Sequence, residues 1–244
     1  HNLTSDSNGY NTCVGFQAGS DITTGIQNTA IGALTFNGTC TANNNTAVGY
    51  FTMNSNTSGT QNTAVGSSAL NNNTTASNCS AFGYNALGAN TTGANNVGIG
   101  QFSLDANTTG GSNTALGHNA LTGNTTASHN TAVGKGALEV NTTGESNVAV
   151  GSQCLDANTT GLNNTAVGRQ ALDNNTTGSQ NVAVGTNALD TNTTADANTA
   201  IGTSALRANT TGTLNVALGK DSLKENTTGA HSVAIGANAL DAVT

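Results

Sequence analysis

The sequence is built from a unit of seventeen residues that recurs from Asn11 onward without insertion or deletion. Its consensus is N-T-A-V-G-x-x-A-L-x-x-N-T-T-G-x-x, and Asn164–Gln180 (NTAVGRQALDNNTTGSQ) is a clean copy. With Asn11 as position 1, the chain holds thirteen full units over 11–231, a partial unit over 232–244 and a partial leading coil over 1–10. Such a fixed period predicts a single repeat array over 11–244, in which every unit forms the same structural element.

Each position of the unit accepts a narrow set of residues. Position 3 is Ala apart from Cys13 and Gly98, position 4 is always apolar, and position 9 is Leu from Leu70 onward. Every charged residue of the array lies at position 6, 7, 10, 11 or 16, for example Arg169 and Glu145. This segregation predicts one environment per position. Position 5 is always Gly and is predicted to be a structural turn: Gly15, Gly32, Gly49, Gly66, Gly83, Gly100, Gly117, Gly134, Gly151, Gly168, Gly185, Gly202, Gly219 and Gly236.

Seventeen residues are too few for a pair of helices, and they fit one coil of a parallel β-solenoid. The expected fold is therefore all-β, with about fourteen coils. The segment T-A-V-G contains β-branched residues and predicts a short strand, with positions 2 and 4 on its inward face. The A-L pair at positions 8 and 9 predicts a second short strand, and N-T-T-G is typical of a turn.

The small side chains of the unit predict association between chains. Aromatic residues make up 3% of the sequence, and it contains neither Pro nor Trp. One Val, one Leu and two Ala per coil bury too little apolar surface to balance the conformational entropy lost on ordering the coil. We therefore expect the Leu column at position 9 to pack against another copy of the chain.

Composition argues against several functional classes. Charged residues make up 7% of the sequence and only five of them are Lys or Arg, so no nucleic-acid partner is expected. No apolar run approaches the about 20 residues of a membrane-spanning helix, so no membrane insertion is expected. The sequence contains no nucleophile–His–acid set, phosphate-binding loop or zinc-binding spacing. It is therefore predicted not to be an enzyme and to need no cofactor.

The repeat resembles those of known fibrous proteins. The string N-x-A-V/I-G, as in Asn147–Gly151 (NVAVG) and Ser232–Gly236 (SVAIG), resembles the head repeats of trimeric autotransporter adhesins. The full unit NTAVGxxALxxNTTG resembles repeats of phage and viral tail-fibre proteins and of related bacterial surface fibres. The adhesin resemblance implies a left-handed parallel β-roll in a homotrimer. The adhesin repeat is usually shorter, and the N-T-T-G-x-x loop departs from it.

The N-T-T segment at positions 12 to 14 has three interpretations. One is a ladder of stacked Asn amides that bond from coil to coil, and another is N-linked glycosylation, since Asn-x-Thr/Ser is the acceptor sequence. The third is ice binding by two rows of Thr, for example Thr108 and Thr125 beside Thr109 and Thr126. The Asn residues concerned are Asn56, Asn73, Asn90, Asn107, Asn124, Asn141, Asn158, Asn175, Asn192, Asn209 and Asn226.

The Cys and His residues are scattered through the array. Cys13 and Cys154 replace Ala and are expected to be small buried residues. Cys40 and Cys79 lie at different positions of the unit, which leaves open only a bridge between chains. The four His lie too far apart to form a metal site, so no metal is predicted.

Carboxylates cluster at position 10 of the unit. They predict a solvated stripe or, where adjacent coils carry them, a row that a cation such as calcium could bridge. The residues are Asp105, Glu139, Asp156, Asp173, Asp190 and Asp241.

These features predict a structural fibre: the shaft or head of an extracellular, cell-surface or virion filament that spaces and presents binding surfaces. Two alternatives stay open, namely a surface adhesin that binds cell-surface glycans or host receptors by avidity, and an ice-binding solenoid. The expected partner is the chain itself, in a homotrimer or a head-to-tail filament. The filament hypothesis rests on a chain that begins and ends within a unit and has no polar capping sequence.

Overall fold

The computed structural model describes residues 9–241, so the predicted leading coil over 1–10 lies almost entirely outside the described residues. The chain divides into an N-terminal unit, His1–Thr126, and a C-terminal unit, Ala127–Thr244. Each is a parallel β-solenoid in which one repeat forms one coil, and residues 9–241 contain no helix. The predicted all-β solenoid and its period are confirmed. Nothing in the described range is a helix with the length and hydrophobicity needed to span a membrane.

Each coil contributes one strand of three residues, at positions 2 to 4. The strands of the N-terminal unit are β1 Thr12–Val14, β2 Thr29–Ile31, β3 Thr46–Val48, β4 Thr63–Val65, β5 Ser80–Phe82, β6 Val97–Ile99 and β7 Thr114–Leu116. Those of the C-terminal unit are β8 Thr131–Val133, β9 Val148–Val150, β10 Thr165–Val167, β11 Val182–Val184, β12 Thr199–Ile201, β13 Val216–Leu218 and β14 Val233–Ile235. Within each unit, consecutive strands pair in parallel and in register, so that Thr12 lies beside Thr29. Equivalent residues of consecutive coils are therefore about 4.8 Å apart.

The predicted second strand at positions 8 and 9 is wrong. Residues at positions 7 and 9 have left-handed backbones, as at Ser68 (φ 58°) and Leu70 (φ 52°), which removes the segment from the strand region. Hydrogen bonds between coils nevertheless continue through it, because Leu70 donates its N–H to the carbonyl of Ala86 at 2.9 Å. The segment is thus a repeated turn that remains bonded to its neighbours.

The predicted inward face of the strand is also wrong. The middle residue, at position 3, is buried, and positions 2 and 4 face outward on the other side of the strand. The coil interior is narrow at position 3: a Cβ added to Gly98 would lie 3.3 Å from the side chain of Leu87. Only Ala, Cys or Gly occurs there, and the larger apolar residues of positions 2 and 4 are placed outside.

The large residues at position 9 form the core of each coil. From Phe36 to Leu223 they are fully buried within their own chain, so the expectation that this column packs against another copy is wrong; Leu240, in the last coil, is 47% exposed. Each contributes the one large side chain of its coil, and the small residues of positions 3 and 8 surround it. The column consists of Phe36, Met53, Leu70, Leu87, Leu104, Leu121, Leu138, Leu155, Leu172, Leu189, Leu206 and Leu223.

Candidate functional site

The Asn side chains at position 12 point into the coil and bond to one another. Asn107 donates its Nδ2 to the Oδ1 of Asn90 at 2.7 Å and to the carbonyl of Gly110 at 2.9 Å. In the C-terminal unit Asn192 does the same with Asn175 and Ala195, at 2.8 and 3.1 Å. All eleven residues of the column are buried. The nitrogen that would carry a sugar is inside the coil, so these acceptor sequences are closed to a glycan on the folded chain.

A second buried Asn column lies at position 1, and sequence reasoning does not single it out as a ladder. Asn164 donates its backbone N–H to the Oδ1 of Asn147 at 2.9 Å and its Nδ2 to the carbonyl of Gly178 at 2.8 Å. The sequence feature that could have revealed this ladder is the recurrence of Asn at position 1 in all units but two. Cys79 interrupts the column, and its Sγ lies 3.4 Å from the carbonyl of Gly93 instead.

The Gly column at position 5 ends each strand. All fourteen residues have φ between 120° and 144°, a region that L-residues with a side chain rarely adopt. The coils also approach closely here, because a Cβ on Gly66 would lie 2.5 Å from the carbonyl oxygen of Gly83. The column therefore fixes the turn that follows each strand and the contact between successive turns.

The two Thr rows at positions 13 and 14 have different roles. The first hydroxyl donates to a carbonyl of the next coil, as from Thr108 to Thr125 and from Thr159 to Thr176, both at 3.0 Å. The second Thr is exposed, as at Thr109. Only the second of the two rows considered for ice binding therefore presents its hydroxyls to solvent. Both rows lie in turns and not in strands.

The carboxylates at position 10 from Asp105 to Asp190 are partly buried, and those of consecutive coils from Glu139 to Asp190 repel one another. Burial is the main cause that raises the pKa of Asp156 to about 6, and the nearby charges of Glu139 and Asp173 add to it. Burial also raises the pKa of Asp173, with a further contribution from Asp190. Among residues 9–241, no three His, Cys, Asp or Glu side chains are grouped so that they could hold a metal ion. Asp156, which has a carboxylate neighbour on each side, is therefore protonated at a higher pH than an ordinary Asp.

The four Cys side chains are buried thiols. Cys13 and Cys154 occupy small buried positions, as the sequence predicts. Cys40 and Cys79 are fully buried too, so a bridge between chains would require the coil to open. Burial is the main cause that raises the pKa of Cys154 to about 12, which keeps this thiol protonated and poorly nucleophilic.

The outward side of each sheet, which we call the outer face, consists of positions 2 and 4. It exposes large apolar residues, such as Ile31 (39%) and Leu116 (44%) in the N-terminal unit and Ile201 (38%) and Leu218 (42%) in the C-terminal unit. Position 2 supplies Thr, Val or Ser, and neither position carries a charge in any coil. Monomeric soluble proteins rarely expose large contiguous apolar patches.

The two units differ in the chemistry of their remaining surface. Every Phe and Tyr of the chain lies between Tyr10 and Phe102, and every Lys and Arg lies between Lys135 and Lys224. No charged residue occurs between Asp21 and Asp105. The N-terminal unit therefore presents a surface with few charged residues and with exposed aromatic rings, whereas the C-terminal unit presents many charges of both signs.

Comparison of the chain with models of protein families, with curated proteins and with solved structures finds no match. The function proposed for the chain therefore rests on these surfaces and on the resemblance of its repeat to those of fibrous proteins.

Proposed function

We propose that the chain is a structural segment of an extracellular or virion fibre, in which the outer faces of the sheets pack together in a homotrimer. The observation that carries this proposal is the uncharged apolar outer face. In each coil, the strand places its smallest residue inside and its largest outside. An isolated chain would leave these side chains in water, and association would bury them.

The distribution of charge supports the same surface. Charged residues occur at positions 6, 7, 10, 11 and 16, and they are absent from positions 2 and 4 throughout the array. Depletion of charge at the centre of an interface, with charge retained around it, is typical of protein association. Threefold symmetry is taken from the resemblance of N-x-A-V/I-G to adhesin head repeats, which form homotrimers.

The proposed role is mechanical. Consecutive coils are bonded by their strands and turns and, over most of the array, by the two Asn columns, so load along either unit is distributed over many hydrogen bonds. Such a segment holds its variable outward residues at fixed spacing. Weak contacts repeated along several associated chains would then give adhesion by avidity.

Measurement of the mass in solution tests the assembly. Sedimentation equilibrium of the wild-type chain should give three times the 24.0 kDa of one chain. The variant Val167→Lys/Ile201→Lys places charge on the outer face and should dissociate into monomers. The matched variant Thr186→Lys/Thr203→Lys adds the same two charges at position 6 and should keep the wild-type mass. A folded wild-type monomer at micromolar concentration would refute the proposal.

A further inference from the structure

A line of exposed aromatic rings runs along position 6 of the N-terminal unit, and we call it the aromatic strip. It consists of Phe16, Tyr50 and Tyr84, whose exposed fractions are 70%, 55% and 52%. The coils between them carry Ala33 and Ser67 at the same position. Aromatic and small residues therefore alternate, so that a ring occurs in every second coil with a gap beside it.

The backbone beneath the aromatic strip is held in place by the coils themselves. The carbonyl of each of its three residues accepts the N–H of position 7 in the next coil, at 2.9, 2.9 and 3.0 Å in chain order. Because consecutive coils are about 4.8 Å apart, the rings recur at intervals of roughly 9.6 Å. The regular repeat thus fixes both the direction and the spacing of the strip.

Two of the rings are supported by aromatic neighbours. Tyr50 stacks on Phe51, with ring centroids 5.6 Å apart and planes inclined by 29°. Tyr84 meets Phe102 edge to face, with centroids 5.4 Å apart. These contacts limit the movement of the rings before any ligand arrives, which lowers the entropy lost on binding.

We propose that the aromatic strip binds an extended β-1,4-linked polysaccharide of neutral sugars, the chemistry shared by cellulose and chitin. In such chains the ring substituents are equatorial, so each sugar presents an apolar face of C–H groups. These groups carry partial positive charge and pack on the negative face of an aromatic ring. The same sugar face returns with every disaccharide, a distance close to the spacing of two coils.

The surroundings of the strip favour a neutral ligand. The N-terminal unit contains no Lys or Arg, so this surface offers neither cation to an anionic glycan. The one carboxylate beside the ring of Tyr84, that of Asp105, already accepts a hydrogen bond from Asn85. The coils between the rings carry small residues at position 6, and one of these, Ser67, has a hydroxyl that could bond to a sugar hydroxyl. An α-1,4-linked chain winds helically and would lose register with evenly spaced rings.

This site is independent of the assembly proposed above. Position 6 follows the Gly turn at position 5 and lies outside the outer face, which is confined to positions 2 and 4. Binding therefore requires only that the N-terminal unit be folded, and the two proposals can fail separately.

Retention of the full chain on insoluble polysaccharides tests the site. We expect the wild-type chain to bind microcrystalline cellulose, chitin powder or both, and to pass through cross-linked amylose, the α-linked control. The cellulose and chitin arms distinguish whether the N-acetyl group of chitin is tolerated or required. Retention on neither β-linked matrix, or equal retention on amylose, would overturn the proposal.

A variant of unchanged composition tests the spacing. Tyr50→Ser/Ser67→Tyr exchanges two residues of position 6, so that the rings lie three coils and one coil apart instead of two and two. We expect its dissociation constant to rise about tenfold, since one ring loses its sugar. Tyr10→Gln removes an exposed ring outside the strip, at position 17, where Gln27 stands one coil later, and should leave binding unchanged. An exchange variant that binds as tightly as the wild type would contradict the proposed register.

Folding and assembly of the variants are checked by circular dichroism and sedimentation. If the exchange variant does not fold, Tyr84→Gln replaces it, because Gln101 already stands at position 6 of the next coil. This variant should likewise bind about tenfold more weakly. If either change instead lowers the mass of the assembly, the aromatic strip is a contact between copies of the chain and the glycan proposal fails.

Discussion

Asn73 donates its Nδ2 to the Oδ1 of Asn56 in the preceding coil at 2.6 Å, and the same nitrogen lies 3.1 Å from the carbonyl of Ala76. Each buried amide of this column thus joins its own turn to a neighbouring coil. Narrow coils hold few large apolar side chains, so these polar columns supply contacts that a larger domain would obtain from its hydrophobic core.

Loss of one amide from the position 12 column should be strongly destabilising. Asn107→Ala leaves the buried oxygens of Asn90 and Gly110 without this donor, and we expect the free energy of unfolding to fall by about 2 kcal/mol. Urea unfolding followed by circular dichroism measures the change. Asn72→Ala, an exposed Asn of the same unit, should change it by less than about 0.5 kcal/mol. Equal effects of the two substitutions would show that the buried column is not a special source of stability.

Repair of the interrupted position 1 column should stabilise the chain. In Cys79→Asn, the new Nδ2 can donate to the carbonyl of Gly93, and the new Oδ1 can accept the backbone N–H of Asn96. We expect the free energy of unfolding to rise by about 1 kcal/mol. Asn164→Cys, which creates the same interruption in an intact part of the column, should lower it by a similar amount. A stability gain from both changes would contradict the ladder.

Substitution of a position 5 glycine should be among the most damaging changes. Gly66→Ala combines a left-handed backbone with a Cβ that would lie 2.5 Å from the carbonyl oxygen of Gly83. We expect a loss of at least about 3 kcal/mol in thermal or urea unfolding. Gly111→Ala is the matched control, because Ala94 occupies the same position 16 one coil earlier. A Gly66→Ala variant as stable as this control would contradict the close approach of the coils.

Left-handed residues at position 7 offer a route to stabilisation. Gln153 has φ 55°, and Gly136 already occupies this position in the preceding coil. Gln153→Gly should raise the free energy of unfolding by up to about 1 kcal/mol, since Gly adopts this region without strain. Ser152→Gly, one residue earlier and without positive φ, should lower it by about 0.5 kcal/mol. The paired unfolding curves distinguish strain relief from a general effect of Gly.

The carboxylate row should make stability depend on pH. The folded chain raises the pKa of Asp156 from 3.8 to about 6, so it binds this proton more tightly than the unfolded chain does. The resulting stabilisation is complete below pH 3.8 and is lost as the pH rises through about 6. Asp156→Asn should remove this contribution, raising the melting temperature near neutral pH and flattening its pH dependence. Glu145→Gln, at an exposed position 16, is the control and should retain the wild-type dependence.

The period, the strand and the turn glycines could be predicted from the sequence because each depends on local residue preferences. The side of the strand that faces inward could not. At positions 2 to 4, T-A-V alternates a small residue with larger ones, and the usual preference places the larger ones inside. Here the width of the coil decides the outcome, because the Leu of position 9 already fills the interior and leaves room only for Ala.

The left-handed backbone of the core Leu residues has no signal in the sequence. Leu is not typical of this region, and Leu70 adopts it because the turn between two bonded coils imposes it. The aromatic strip is equally hidden in the sequence. Phe16, Tyr50 and Tyr84 look like scattered aromatic residues until position 6 is known to face solvent.

In the N-terminal unit, the distance between consecutive coils sets the spacing of side chains at the same position of the repeat. The distance between two outward side chains is a whole number of coils, so it can change only in fixed steps. Recombination between near-identical repeats could remove one coil between Tyr50 and Tyr84 and leave every column in register. The rings would then lie one coil apart, and under the proposed mode of binding a single genetic event would change the spacing of sugars that the aromatic strip accommodates.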